Sequence, residues 1–183
     1  MNFFEVIKKR KSIRKYKTDP IPAELLEQIF EMVRLAPSWR NGQCWKFVVV
    51  TDATLKKALI RCTSVFNQSW LGQEHALVVA CGDPAHSGFR NDQAYYLVDV
   101  AIAMEHLVLA AAALGLGTCW IGAFDESKVK SLLNIPPTYR VVALTPLGYP
   151  AEEEGLVGKI TQGIIKSRRR KPLSEVYVIN GWE

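Results

Sequence analysis

Apolar residues recur along the chain first at helical and then at extended spacing, and the alternation predicts interleaved helices and strands. Leu25, Leu26, Ile29, Phe30 and Val33 fall on one helical face. That helix must stop before Pro37, because the residue preceding a proline avoids helical angles. Lys46 to Val50 is a β-branched run and reads as a strand. Leu55, Ala58, Leu59 and Cys62 mark a short helix. Ala76 to Cys81 is a continuous apolar strand closed by Gly82-Asp83-Pro84. From about Asn91 to Leu114 the chain is apolar nearly all round, as befits a helix in the middle of a core or at a seam between subunits. Thr118 to Gly122 returns to strand, Asp125 caps a helix carrying Val129, Leu132 and Leu133, and Arg140 to Leu147 is a last strong strand. At the start, Asn2 and Glu5 form a capping box for a helix through about Arg10, and Pro22 suits a first helical turn. Beyond Pro150 the periodicity is weak, so residues 151–183 read as an extension that wraps a partner subunit.

A length of 183 residues suits one domain with a sizeable core, and the interleaving gives an α/β or α+β class with a layered sheet. The apolar stretch from Val98 to Ile121 is broken by Asp99, Glu105 and His106, which favours a buried helix over a membrane span. His106 reads as a satisfied core histidine. Met1 to Glu5 holds no apolar signal core, so a cytoplasmic location is expected. Cys44, Cys62, Cys81 and Cys119 are scattered without metal-ligand spacing and read as reduced, buried thiols. The net charge of +5 favours an anionic partner, and phosphate, nucleic acid and a membrane surface all satisfy it.

Two basic clusters narrow the chemistry. Arg10-Lys11-Ser12-Ile13-Arg14 puts three cations and a hydroxyl in five residues, and Arg168-Arg169-Arg170-Lys171-Pro172 lies at the other end of the chain. Converging on one phosphate, they would form an anion grip; apart, they are solvated charge or a non-specific nucleic-acid patch. The Pro37 to Trp45 loop offers Ser38, Asn41 and Gln43, which donate and accept and so can read the edge of a heterocycle. Gly115-Leu116-Gly117 follows a helix and leads into a strand, the reverse of a dinucleotide-binding turn. Gly122 permits close approach of backbone to a flat ligand. Asp99 and Glu105 stand six apart and make no evident acid–base pair. With so little acid–base machinery, the chemistry belongs to a cofactor.

These segments, in order, resemble the FMN-dependent nitroreductase family. Arg10 to Arg14 is similar to its R-x-S-x-R, Ala36-Pro37-Ser38 through Gln43-Cys44-Trp45 to its A-P-S-x-x-N-x-Q-P-W, Leu114 to Thr118 through Phe124-Asp125 to its L-G-L-G…G-F-D, and Arg170 to Leu173 to its basic C-terminal segment. The resemblance implies one compact α+β domain, a mixed β-sheet flanked by helices, and a homodimer whose subunits embrace, with FMN at the interface. It implies that Arg10, Lys11, Ser12, Arg168 and Arg170 hold the phosphate and ribityl chain, and that Arg14 lies near the pyrimidine edge. Pro37, Ser38, Trp39, Asn41 and Gln43 would come from the other subunit, and Trp120, Ile121, Gly122 and Ala123 would border the ring near N5. NADH or NADPH would reduce the flavin, and a nitroaromatic, quinone or similar small acceptor would reoxidise it in ping-pong fashion, with no protein nucleophile.

Two departures stand out. Cys44 replaces the family's proline before Trp45, which is expected to loosen the loop, and Gly122 stands where many relatives carry Glu. Phe66, Asn67, Trp70, Tyr95 and Tyr96 are candidates for the open face of the flavin or for packing. A flavin carrier or sensor, another flavin chemistry such as dehalogenation, and a basic nucleic-acid-binding module are the competing readings.

Overall fold

The computed structural model describes residues 2–152 and 170–182. A four-stranded sheet in the order β1-β2-β6-β5 is built from β1 (Trp45–Val50), β2 (Ala76–Gly82), β5 (Gly117–Thr118) and β6 (Arg140–Gly148). Its strands pair antiparallel. A parallel bridge between Ser12 and Thr118 adds the N-terminal segment beside β5, which makes that edge mixed. The helices are α1 (Phe3–Lys9), α2 (Ala23–Arg34), α3 (Ala53–Arg61), α4 (Val65–Gln68), α5 (Tyr95–Ala113) and α6 (Glu126–Leu133).

Strand β2 is buried along its whole length, as its unbroken apolar sequence requires of a strand covered on both faces. Val78 and Ala80 join a core made with α2 and α5, whereas Leu77, Val79 and Cys81 join a second core with Leu59, Ile60 and Val129. That division is the two-residue period of a strand made visible. A register shift at Ala80/Cys81 opposite β6 lets Val142 and Ala143 both reach the α5 side. Helix α5 buries Val100, Ala103, Met104, Leu107, Val108 and Ala111 in the first core. It is long and apolar enough to cross a membrane, but these residues place it inside the fold. Leu97 and Val98 remain exposed on its outer side.

Local signals explain most boundaries. The Asn2–Glu5 capping box is formed at α1, and Asp125 accepts from the Lys128 N–H to cap α6. Asn134 ends α6 in a left-handed conformation. Helix α5 starts later than its composition suggests, because residues 89–94 form a hairpin of β3 (Phe89–Arg90) and β4 (Gln93–Ala94). Asn91 and Asp92 both take positive φ there, the requirement of a tight two-residue hairpin turn. The strand expected over Thr118 to Gly122 shortens to β5, with Ile121 making one further bridge to Leu144. His106 is half-buried instead of deep in the core, and its Nδ1 lies 2.9 Å from the Met32 carbonyl oxygen. All four cysteines are free and buried.

Candidate functional site

After α1 the chain turns extended at Arg10 and runs beside β5. The Ile13 N–H donates to the Thr118 carbonyl at 2.8 Å, and the Ile13 side chain covers Gly117, where a Cβ would fall 2.7 Å from it. With Ile13 turned inward, alternation sends Ser12 and Arg14 to the other side of the segment. On the Ile13 side a cleft of about 190 Å³ opens, lined by Arg10, Lys11, Ile13, Leu116, Thr118 and Pro150 among others. Burial pushes the Cys119 thiol up, and Arg14, Ser12 and Arg10 offset that only in part.

Arg14 continues into a wall. Its guanidinium lies 5.9 Å from the centroid of the buried Trp70 ring. Asn67, also buried, points its amide at the Ala123 carbonyl at 3.4 Å, and the Ser64 N–H donates to the same oxygen at 3.0 Å. Trp120 is exposed, Ile121 is anchored on β6, and nothing lies within 4 Å of the position a Gly122 Cβ would occupy. These contacts link Arg14, Trp70, Asn67 and Ala123 into one wall, with Phe66 exposed on α4 next to Asn67.

The Pro37 to Trp45 loop is held in strain. Arg40, Asn41 and Gln43 have φ of 47°, 56° and 45°, a region costing roughly 1–3 kcal/mol for a residue with a side chain. Its contacts over-determine that shape. Ser38 Oγ accepts from the Gln43 N–H at 2.9 Å, and the Gly42 N–H donates to Trp39 O at 2.8 Å. Gly42 presses so closely on the His86 carbonyl that no Cβ would fit. The Trp39 ring covers Gly88 in the same way and meets Tyr95 at 4.5 Å between centroids. Asn41 and Gln43, both exposed, join through a 3.1 Å side-chain hydrogen bond. Pro37 is exposed. Tyr96 belongs to packing: its ring would come 3.0 Å from a Cβ at Gly82.

The residue that sequence reasoning passed over is Asp99. Its buried carboxyl accepts from the Trp39 N–H at 2.8 Å and the Ser87 hydroxyl at 2.6 Å, with the Cys44 thiol 3.6 Å away. Burial, and then the Asp99 charge, pushes the Cys44 thiol up to about 12, so it stays a neutral S–H donor. Cys44 therefore ties the loop down, contrary to the loosening expected from the missing proline. The signal was a lone carboxylate in an apolar helix, legible only once its donors are in place.

The two halves occupy opposite ends of α5. The loop hangs on Asp99, whereas β5 follows Ala111 at the other end, twelve residues or about 18 Å of helix away. Arg170 is exposed and Arg168 lies outside the described residues.

The Nitroreductase family profile matches residues 7–149, which span both halves of this arrangement. The chain belongs to the nitroreductase family. A crystal structure of a nitroreductase family protein from Clostridium novyi NT is 44% identical, with a TM-score of 0.79 over 83% of this chain and 87% of that one. An FMN-dependent nitroreductase from Clostridium difficile R20291 is 29% identical, with a TM-score of 0.74 over 82% and 89%. NADH dehydrogenase of Thermus thermophilus is 31% identical over 79% of this chain and 85% of its own length. Other relatives, at 29%, 29% and 27% identity, are an FMN reductase [NAD(P)H] of Bacillus subtilis, the 5,6-dimethylbenzimidazole synthase of Rhodospirillum rubrum and the iodotyrosine deiodinase of Thermotoga neapolitana. Membership therefore carries the fold and an oxidoreductase class, while the relatives' reactions diverge.

The residues present fit a flavin nucleotide. Cations and a hydroxyl suit its phosphate, the open backbone at Gly122 suits a flat ring, and the strained amide-bearing loop suits an edge of carbonyls and ring nitrogens. The buried Trp70 Nε1, beside Arg14, has no acceptor among the described residues.

Proposed function

We propose that the chain is an NAD(P)H-dependent FMN oxidoreductase that works as a cytoplasmic homodimer on nitroaromatic, quinone or similar acceptors. The observation that carries this reading is that the strained loop hangs on Asp99 while the segment leading into β5 hangs on Ala111, twelve residues or about 18 Å farther along α5. A twofold axis that sets α5 antiparallel to its copy brings each anion grip to the partner's loop. Leu97 and Val98 on the outer side of α5, and Leu173, Val176, Ile179 and Trp182 in the C-terminal segment, are exposed apolar residues of the kind such an interface buries. Of the 151–183 extension expected to wrap the partner, residues 153–169 and 183 lie outside the described residues.

FMN, when bound, supplies two-electron transfer between nicotinamide and acceptor. Arg10, Lys11, Ser12, Arg168 and Arg170 hold its phosphate and ribityl chain. Arg14, stiffened by Trp70, places positive charge at the pyrimidine edge, where preorganised charge contributes most in a dry site. Pro37, Ser38, Trp39, Asn41 and Gln43 bind from the other subunit. Trp120 to Ala123 border the ring, with the Ala123 carbonyl held in place by Asn67 and Ser64. Phe66 and Tyr95 remain our candidates for the open face, Phe66 by its exposure and Tyr95 by its contact with Trp39.

The visible spectrum of the purified protein tests this, recorded before and after anaerobic NADH and then NADPH. Flavin bands that bleach with either nucleotide and recover with a nitroaromatic or quinone support the reading. Bands without bleaching favour a carrier or another flavin chemistry, consistent with the synthase and deiodinase among the relatives. Absence of bands after reconstitution with FMN sinks it and favours the basic nucleic-acid patch.

A further inference from the structure

We propose that Asp99 is a positioning residue that keeps the Ser38–Gln43 loop cocked for the flavin edge, an inference that rests on the FMN reading above. Asp99 is 2% exposed, on a helix whose other buried residues are apolar. A buried carboxyl is costly unless donors surround it. Its donors come from outside α5: the Trp39 N–H and the Cys44 S–H from a loop more than fifty residues earlier, and the Ser87 O–H from the turn that precedes the β3–β4 hairpin. Two of these bracket the loop at either end, and the third sits next to Gly88, on which the Trp39 ring rests.

What they hold is a conformation that would otherwise relax. Arg40 and Gln43 gain nothing from left-handed backbone by themselves, since neither is glycine or asparagine. Fixing Trp39 N at one end and Cys44 at the other leaves the intervening residues no extended path. The result is that Asn41 and Gln43 stand exposed and mutually bonded, pre-set to meet a heterocycle edge. Asp99 itself is sealed beneath the loop and acts through it. Preorganisation of this kind raises affinity by removing an ordering cost at binding.

The test is FMN affinity of apoprotein, by fluorescence quenching, alongside thermal midpoint and oligomeric state, for wild type, Asp99→Ala, Asp99→Asn and the core control Val100→Ala. Asp99→Ala is expected to bind FMN about tenfold more weakly, the loss of one or two charged hydrogen bonds. Asp99→Asn is expected within about threefold of wild type, because its oxygen still accepts from Trp39 and the Ser87 hydroxyl can turn to accept from the amide. Val100→Ala is expected to lower the midpoint without weakening FMN binding.

Wild-type affinity in Asp99→Ala overturns the proposal. So does an Asp99→Asn as weak as the alanine variant, or a loss in Val100→Ala that tracks its midpoint. If Asp99→Ala does not fold, Ser87→Ala decides: about threefold weaker binding supports the clamp, and unchanged binding overturns it. A wild-type protein that takes up no FMN overturns the underlying reading, and the inference with it.

Discussion

The Arg14 guanidinium lies 5.9 Å over the ring of Trp70, so a cation and a buried indole form one unit on the wall that also carries Asn67 and Ala123. A guanidinium drawn over an aromatic ring by cation–π attraction is partly positioned before any ligand arrives. Arg14→Ala is therefore expected to slow reduction by NAD(P)H about tenfold to a hundredfold, as removal of a charge-assisted contact of about 1.5–3 kcal/mol implies. Arg14→Lys should recover only part of this, because an ammonium cannot stack as a plane. Stopped-flow of the reductive half-reaction measures both; equal rates in all three proteins would remove Arg14 from the site.

Gly42 faces the His86 carbonyl with no space for a Cβ, inside the loop that holds three left-handed residues. A backbone atom cannot give way as a flexible side chain can. Gly42→Ala is expected to destabilise the fold by about 1–3 kcal/mol and to weaken FMN binding at the same time. Urea unfolding and FMN titration, read together, check the pairing of the two losses.

Helix α6 is joined to β6 by Glu126, whose carboxylate pairs with Arg140 at 2.8 and 2.9 Å and accepts from the Val141 N–H at 3.0 Å. The Arg140 partner, chiefly, holds the Glu126 carboxyl below its usual range. A carboxyl lowered on folding contributes stability above its unfolded value, near 4.3, and loses it as pH falls through the folded value. Because Arg140 is about half exposed, the contribution is discounted for screening to about 1 kcal/mol. Glu126→Gln should thus be less stable than wild type near neutral pH and converge with it below about pH 4. Thermal midpoints across pH 3 to 8 reveal whether the curves meet.

Much of this was legible in the chain. The capping box at Asn2, the Asp125 cap and the fully apolar β2 follow from local chemistry, and the structure realises each. The two-residue turn at Asn91-Asp92 was hidden because it interrupts a composition that otherwise reads as helix. Arg40 and Gln43 carry no sequence mark of a left-handed backbone, since tertiary contacts impose it. Asp99 reads along its own helix as a break in an apolar run with no acid–base partner, while the groups it binds lie 60, 55 and 12 residues earlier in the chain. Trp70 and Tyr96 read from sequence as either open-face or packing residues; Trp70 is buried and Tyr96 is partly buried against the first core. Charge and amide content revealed the site's chemistry; its geometry required the fold.

The C-terminal segment carries Leu173, Val176, Tyr177, Ile179 and Trp182 exposed, an arrangement a lone protomer has no use for. Truncation after Glu152 is expected to leave a cooperatively folded protein, since both cores found among the described residues lie within residues 2–152. It should shift the protein from dimer toward monomer and reduce FMN retention, because Arg168 and Arg170 go with it. Analytical ultracentrifugation and the ratio of flavin to protein absorbance test the two effects separately.

Gly122 offers the sharpest separation of stability from binding. Nothing lies within 4 Å of a Cβ built there, and its φ is not in the left-handed region, so the folded protein has both room and backbone freedom for a side chain. Gly122→Ala should leave stability unchanged or raise it by about 0.4–1 kcal/mol, through the lower entropy of the unfolded chain. If the backbone from Trp120 to Ala123 borders a flat ring, the same methyl group intrudes on the ligand and weakens FMN binding about tenfold. A variant that is as stable as wild type yet poor in FMN locates the ring at this strand end. Full affinity in Gly122→Ala would instead mean that the open space beside Gly122 is solvent, and would move the ring away from residues 120–123.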